Sequence, residues 1–436
     1  MNKTCESVHL DLPASISHCP LLAAQSLEKI FLGKQTQIET WLRQQWRNTP
    51  AVVTSSVDLR HEGFRLAPVD TNLFPAGFNN LNPNFLPLSI QAAQSMITER
   101  MPGCTRILII PENHTRNPFY FESLVNMHHI FSQAGFEVRI GSLIEGLTSP
   151  QPIPNSSLSL EPVMREGNRL KLADFDPCMI LLNNDLSAGI PDLFNNIEQP
   201  IYPNPQLGWA HRLKSNHFSH YQHITKDFAA LIDIDPWCIT PLFTSCDEVD
   251  FMTGVGMEQL ADKVDNLLAQ IREKYKEYNI QQDPFAVVKA DAGTYGMGIM
   301  MVKSAQELLQ LNRKQRTKMS TSKGNQTIHK VIVQEGVYTF ETAGTPPNEG
   351  VAEPVIYMLG QYVIGGFYRI HKDKRKDENL NMPGMHFEPL AFNAACNNPQ
   401  AHQMSSRFYT YGVIARLAGL AAAREAAEVK ARIKSV

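Results

Sequence analysis

The stretch from Phe285 to Met301, FAVVKADAGTYGMGIMM, sets the tightest limit on what this chain can fold into. Phe285 and the β-branched pair Val287-Val288 suit an extended backbone, and Lys289 ends that apolar run. Gly293, Gly296 and Gly298 supply a flexible reversal before the chain turns apolar again at Ile299, Met300, Met301 and Val302. A strand, a glycine-rich hairpin and a second strand are therefore predicted. Burying a lysine is costly unless an anion meets it, and a glycine hairpin lets backbone amides approach phosphate oxygens closely. No GxxxxGK[ST] occurs, and a strand rather than a helix follows Gly298, so this is not a P-loop. The spacing taken alone also fits a tight turn between two ordinary strands.

Further along, Lys330 to Glu341, KVIVQEGVYTFE, reads as a strand running into a polar hinge, and Tyr362 to Ile370, YVIGGFYRI, as a strand that carries Arg369 near its end. The charged loop HKDKRKDE and the turn-forming NLNMPGMHFEPL follow. Lysine strand, glycine hairpin, Gln-Glu hinge, arginine strand and carboxylate-asparagine-glycine turn, in that order, resemble an ATP-grasp ligase. The resemblance implies ATP and Mg2+, two ions, as cofactors. It puts Lys289 on the phosphates and lays Gly293, Gly296 and Gly298 over them. It has Gln334, Glu335 and Val337 of the hinge read adenine, with Glu341 on the ribose. Lys214, in RLKSNHF, resembles the earlier phosphate lysine of glutathione synthetases. Arg369 and Lys289 are the catalytic candidates, because a planar guanidinium stabilises charge spread over a transferred phosphoryl group.

Hard cations prefer oxygen donors, so the metal candidates are Glu353, Glu378, Asn379 and Asn381. The turn departs from both familiar patterns. Aligned as an NLxxGG turn, Asn379 is the ligand; aligned as an ExNxxPG turn, Glu378 fits and Asn381 is displaced by one position.

Two other segments, DLRHEGFRLAPVDTNLFPAGFNNL at Asp58 to Leu81 and YPNPQLGWAHRLKSNHF at Tyr202 to Phe218, resemble the compact bacterial glutamate–cysteine ligase family. That resemblance implies ligation of L-glutamate to L-cysteine through an acyl phosphate, giving γ-glutamylcysteine, ADP and phosphate. The first segment carries Arg60, Arg65, Asp70, Asn72, Asn79 and Asn80 between Phe64, Leu66, Phe74 and Phe78. A polar loop pinned to a core in this way can hold substrate, and Arg116, in PENHTRNPF after the Arg106–Ile110 strand, joins the same set. Glu112, Asn113, Asn183, Asn184 and Asp185 also follow predicted strands and are second-rank candidates. Another acid–amine ligase, or a nucleotide-binding sensor without turnover, would share much of this pattern.

The predicted fold class is α/β (α+β): an N-terminal α/β substrate-binding region over 1–204, an ATP-grasp-like region over 205–400 and a closing C-terminal helix over 401–436. Within it, helical spacing covers 21–48, Trp209 to His223, and Met257 to Tyr278, where Leu260, Val264, Leu267, Leu268, Ile271 and Tyr275 form one stripe. Ser304 and Glu307 read as a capping box, and the proline- and serine-rich residues 149–162 as a surface excursion. His217, His220 and His223 drift around a helix, so they read as face residues rather than a metal site.

A formal net charge of −3 offers no general attraction for nucleic acid or an anionic membrane, and the basic run at His371 to Lys376 is interrupted by Asp373. Seven scattered cysteines without a CxxC pair argue for reduced thiols. With no signal-like apolar core at the N-terminus and no long apolar run, a cytoplasmic protein is expected, with small-molecule partners glutamate and cysteine and a homo-oligomer left open.

Overall fold

Apolar runs buried on both faces build the first sheet. In the computed structural model, which describes residues 27–113, 117–293, 298–320, 327–390 and 407–435, strands Arg106–Pro111, Glu137–Ser142 and Met179–Asn183 run parallel side by side. Alternate side chains face opposite ways. Ile107, Ile109, Met179 and Leu181 pack under helices Leu86–Arg100 and Pro118–Gln133, while Leu108, Ile110, Ile180 and Leu182 meet Leu170, Phe175 and Trp209. Residues 149–162 are more than the surface excursion expected. Ser159–Pro162 pairs with Ile140–Ser142, Gln151–Pro152 pairs with Ser159–Pro162, and Ile153 and Leu160 are buried, so hydrophobic residues inside a polar strip carried it onto the sheet edge.

The second sheet is antiparallel, in the order His386–Pro389, Tyr362–His371, Gly350–Leu359, Thr54–His61, Leu66–Asn72, with Thr342–Ala343 off the Gly350 end. Thr54–His61 is thus clasped between its hairpin neighbour and a strand some three hundred residues later, Asp58 facing Val355. Position 204 divides the sequence but not this sheet. The third sheet, also antiparallel, runs Phe243–Cys246, Val331–Glu335, Ala286–Ala290, Ile299–Val302. It contains the two predicted strands, antiparallel to each other with Lys289 opposite Ile299 and Ile332, while residues 294–297 of the predicted reversal lie outside the described residues. Helix Met257–Glu277 covers it with the predicted stripe of Leu260, Val264, Leu267, Leu268, Ile271 and Tyr275.

Helix Arg407–Ser435 lies within the predicted closing helix, of which 401–406 are outside the described residues, and it packs against helix Lys214–Ile232 and against strands of the second sheet. Its small Ala415, Ala418, Ala421 and Ala422 are fully buried and permit that close approach. The predicted N-terminal helix is two helices, Leu27–Gly33 and Gln35–Asn48, with the intervening Lys34 donating to the Ile232 carbonyl at 2.7 Å. The helix predicted from Trp209 instead starts at Lys214 and ends at Ile232. The capping box does not form: Ser304 makes no side-chain cap, and the Ala305 amide donates to Asp265 at 3.2 Å. Among the described residues no helix is long and apolar enough to cross a membrane.

Candidate active site

The second and third sheets face each other across a cleft of about 1140 Å³, closed at one end by the loops that leave the parallel sheet at Glu112, Asn113 and Asp185. Its lining brings together most of the residues singled out above: Lys214, Lys289, Gly293, Gln334, Glu335 and Val337 from the third sheet and the segments flanking it, with Arg60, Asp70, Asn72, Glu353 and Arg369 from the second. Asn79, Asn80, Asn379 and Asn381 line the rim. Gly296 and Arg116 lie outside the described residues.

Lys289 reaches the cleft from its buried strand. Its Nζ donates to the Val69 carbonyl at 2.8 Å and to Gln334 Oε1 at 2.6 Å. Burial pulls this ammonium down to about 8, with Lys214 and Arg60 acting the same way and Asp70 and Asp58 opposing. Lys214 opens the Lys214–Ile232 helix, whose first turn has no cap of its own. Buried Asp291, just past the Lys289 strand, supplies one by accepting from Ser215 N at 2.7 Å and Ser215 Oγ at 2.6 Å. The hairpin strand and the helix are thereby locked together, and Lys214 Nζ lands 2.9 Å from the Gly293 carbonyl, 3.6 Å from Asp70 and over the Trp209 ring. Burial alone would raise the Asp70 carboxyl, but Lys214, Lys289 and Arg212 hold it below the usual range.

Across the cleft, strand pairing sets Glu353 directly beside Arg369. Arg369 Nη1 donates to Asp58 at 2.9 Å and Glu353 at 2.5 Å, while its buried Nε has no protein partner among the described residues. Arg60 Nε donates to the second Glu353 oxygen at 3.1 Å, and its other nitrogens go to the carbonyls of Val337 and Glu378. Burial, aided by Glu353 and Asp70, raises the Asp58 carboxyl despite Arg369. Glu353 is pushed up by burial too, but its two arginines hold it below the usual range. Asp58, Glu353, Asn379 and Asn381 all line this cleft and carry side-chain oxygens of the kind that a hard divalent cation prefers. Among the described residues no group of three or more His, Cys, Asp and Glu makes a metal site.

Four residues expected at ligands are placed elsewhere. Arg65 is fully buried: Nη1 and Nη2 grip Glu335 at 2.8 and 2.7 Å, Nε donates to the Trp237 carbonyl, and the guanidinium lies over the Trp237 ring. It braces the hinge strand, because its fork matches a carboxylate that would otherwise be stranded in the core. Glu341 is interior, accepting from His61 Nδ1 at 2.6 Å and from the Tyr411 hydroxyl, and so does not face the cleft. Glu378 is drawn to Lys374 at 3.2 Å and to the Arg375 amide at 2.9 Å. Gly298 sits at φ +61 where an added Cβ would strike Ile328, a packing reason for glycine behind the cleft wall.

The hinge is also less free than expected. Glu335 N donates to Leu242 O, Gly336 N to Phe285 O, and Val337 O accepts from Arg60. Gln334 Nε2, buried on the cleft wall, is left without a partner among the described residues. Sequence reasoning passed over Asp58, Trp209 and Tyr357. For Asp58 a signal existed: Ser56, Asp58 and Arg60 alternate along one strand face and all line the cleft. The three histidines take separate partners, His217 beside Arg212 and Glu425, His220 with Glu428, and His223 with the Ser219 carbonyl.

Comparison with known proteins bears on what this cleft does. Residues 28–426 match the family model GshA, glutamate-cysteine ligase. A crystal structure from Methylobacillus flagellatus KT, provisionally assigned as a gamma-glutamylcysteine synthetase, is 53% identical over 97% of this chain and 99% of its own, with a TM-score of 0.85. A glutathione synthetase-like effector from Globodera pallida (12% identity, 81% and 78% covered, TM-score 0.36) and D-alanyl-alanine synthetase A from Vibrio cholerae O1 biovar eltor str. N16961 (10%, 72% and 81%, TM-score 0.32) are too remote to weigh on the fold. None of the curated proteins compared matches. Family match and near-complete alignment agree with the cation-lined cleft, and the chain belongs to the glutamate-cysteine ligase family, an ATP- and divalent-metal-dependent ligase that joins glutamate to cysteine.

Proposed function

We propose that ligation proceeds through a γ-glutamyl phosphate formed in the cleft between the two antiparallel sheets, with ATP, two magnesium ions and the γ-carboxylate of L-glutamate brought together there. The observation that carries this reading is that Lys289 and Lys214 line the same cleft as the cluster of Arg369, Asp58 and Glu353. Lys289 and Lys214 neutralise the phosphates, and Gln334 Nε2 offers a donor to the base. Asp58, Glu353, Asn379 and Asn381 would hold magnesium, which would supply charge neutralisation for the phosphates. Arg369 turns its unpaired Nε toward the transferred phosphoryl group. The attacking oxygen belongs to glutamate, so the protein's task is alignment and electrostatics rather than nucleophilic attack. Asn72, Asn79, Asn80 and Asp185 hold the amino acids at the end nearest the parallel sheet.

With glutamate labelled by ¹⁸O in its γ-carboxyl, one labelled oxygen should appear in the released phosphate, with one ADP per γ-linked dipeptide. Unlabelled phosphate, or AMP with pyrophosphate, would rule out this route.

A pH dependence follows from Lys289. Its ammonium, at about 8 in the free protein, is favoured by bound phosphates, so the complex holds the proton to higher pH than the free enzyme does. Below that value affinity for Mg-ATP is flat; above it binding must take up a proton and the dissociation constant rises, by up to about tenfold per pH unit. Calorimetry in buffers of different ionisation enthalpy should detect the uptake. Affinity independent of pH from about 7 to 9.5 would move the lysine away from phosphate.

A further inference from the structure

At the strand-entry end of the parallel sheet, opposite the end that meets the cleft, Cys104 and Cys178 each stand just ahead of a strand, Arg106–Pro111 and Met179–Asn183, and those strands are paired neighbours. Pairing brings the two thiols together. The Cys178 amide donates to the Arg106 carbonyl at 3.0 Å, which extends the ladder by one residue to the cysteine itself. Cys178 Sγ then receives the amides of Thr105 at 3.2 Å and Arg106 at 3.1 Å, and it can donate to the Arg106 carbonyl at 3.0 Å when protonated. Cys104 Sγ lies 3.7 Å from the same carbonyl. Cys178 is partly exposed and Cys104 buried.

The electrostatics of the two sulfurs diverge. Burial opposes the Cys178 thiolate, but a hydrogen bond from Cys104 and the amides of Arg106 and Thr105 outweigh it and bring this thiol below its ordinary range. Cys104 moves up, through burial and through its hydrogen bond to the neighbouring sulfur. Cys238 and Cys246, the other described thiols, are buried and pushed up by that burial. A partly exposed thiol whose thiolate form is favoured by two amides, next to a buried second thiol pushed the other way, is the arrangement of an attacking and a resolving cysteine.

We propose that Cys104 and Cys178 are a peroxide-reactive dithiol that closes to an intrachain disulfide. The Cys178 thiolate attacks one oxygen of hydrogen peroxide and breaks the O–O bond; it becomes a sulfenic acid, and the hydroxide released takes up a proton as water. Cys104 sulfur then attacks the Cys178 sulfur, the S–O bond breaks, and the Cys104 proton leaves with the hydroxyl as a second water. Both sulfurs are oxidised by one electron each and peroxide is reduced by two. Two equivalents of a low-molecular-weight thiol, the chemical class of this enzyme's product, reverse the change by thiol–disulfide exchange. The two strands joined at this end lead to Glu112 and Asn183 at the cleft end, so the bond would staple the sheet that supports the amino-acid side of the site.

The test treats the full-length, fully reduced protein with about one equivalent of hydrogen peroxide, then alkylates, digests and maps peptides. A Cys104–Cys178 cross-linked peptide, lighter by two hydrogens, is expected to form at least about tenfold faster than either Cys238 or Cys246 is modified, and to reopen with dithiothreitol. Cys104→Ser should leave Cys178 as a sulfenic acid that a dimedone probe captures; Cys178→Ser should leave Cys104 unreacted, with circular dichroism confirming that both variants fold. Cys178 that stays open to alkylation after peroxide, or that pairs with Cys5, Cys19 or Cys396 instead, would overturn the proposal.

Discussion

Lys289→Met should leave a folded protein that has lost ligase turnover by at least about a hundred-fold, since removing one preorganised charge at a reacting phosphate costs roughly 2.7 kcal/mol or more. Methionine keeps the stem inside the strand and removes a cation that burial already disfavours. The fold loses only the bonds to Val69 O and Gln334 Oε1, both at the cleft wall. Thermal stability without nucleotide should therefore change little, while the stabilisation given by Mg-ATP collapses together with kcat. A variant that turns over normally and is still stabilised by Mg-ATP would remove the triphosphate from this wall. A variant that simply melts earlier, with or without nucleotide, would make Lys289 a structural residue.

Arg65→Ala should act on the fold rather than on substrate affinity. With the guanidinium gone, Glu335 remains in the core with the Trp237 indole and the Leu242 amide as its donors and no counter-charge. Breaking a buried pair from one side costs about 3 to 5 kcal/mol. Glu62, 3.7 Å from the same guanidinium and already pushed up to about 7 by burial that Arg65 opposes, loses this counter-charge as well and rises further, so the deficit should grow as pH rises above the ordinary glutamate range and shrink as pH falls toward it. Arg65→Lys should recover only part of the loss, because an ammonium cannot supply both the fork to Glu335 and the bond to Trp237 O. Chemical denaturation at about pH 5 and 8 measures this directly. An Arg65→Ala protein of normal stability with an amino-acid KM raised about tenfold would return this arginine to the substrate site, where its place in a polar, glycine-bearing segment first suggested it.

The contrast between these two residues shows what could be read from the chain. Lys289 was legible because its surroundings are local: an apolar strand before it and glycines after it are set by neighbours in sequence, and backbone preference operates at that range. The same holds for the Met257–Glu277 stripe and for the alternating burial of the parallel strands, where period alone decides which side chains go inside. Asp58 and Arg65 differ from it in kind. Both lie in one short polar segment, and nothing within that segment says that Asp58 will meet Arg369 while Arg65 turns into the core against Glu335. The choice belongs to pairing between strands some three hundred residues apart, which puts Thr54–His61 against Gly350–Leu359 and so assigns Asp58 and Arg60 to the cleft face. Glu341 was lost in the same way, to a histidine and a tyrosine from the two ends of the chain. Propensity and periodicity are short-range, so most strands and helices and the chemical character of the site could be read along the chain, while boundaries such as the start of the Lys214–Ile232 helix could not. Which charged groups face ligand and which face each other was decided only in the tertiary structure, where a buried charge must find its partner wherever the packed strands bring one.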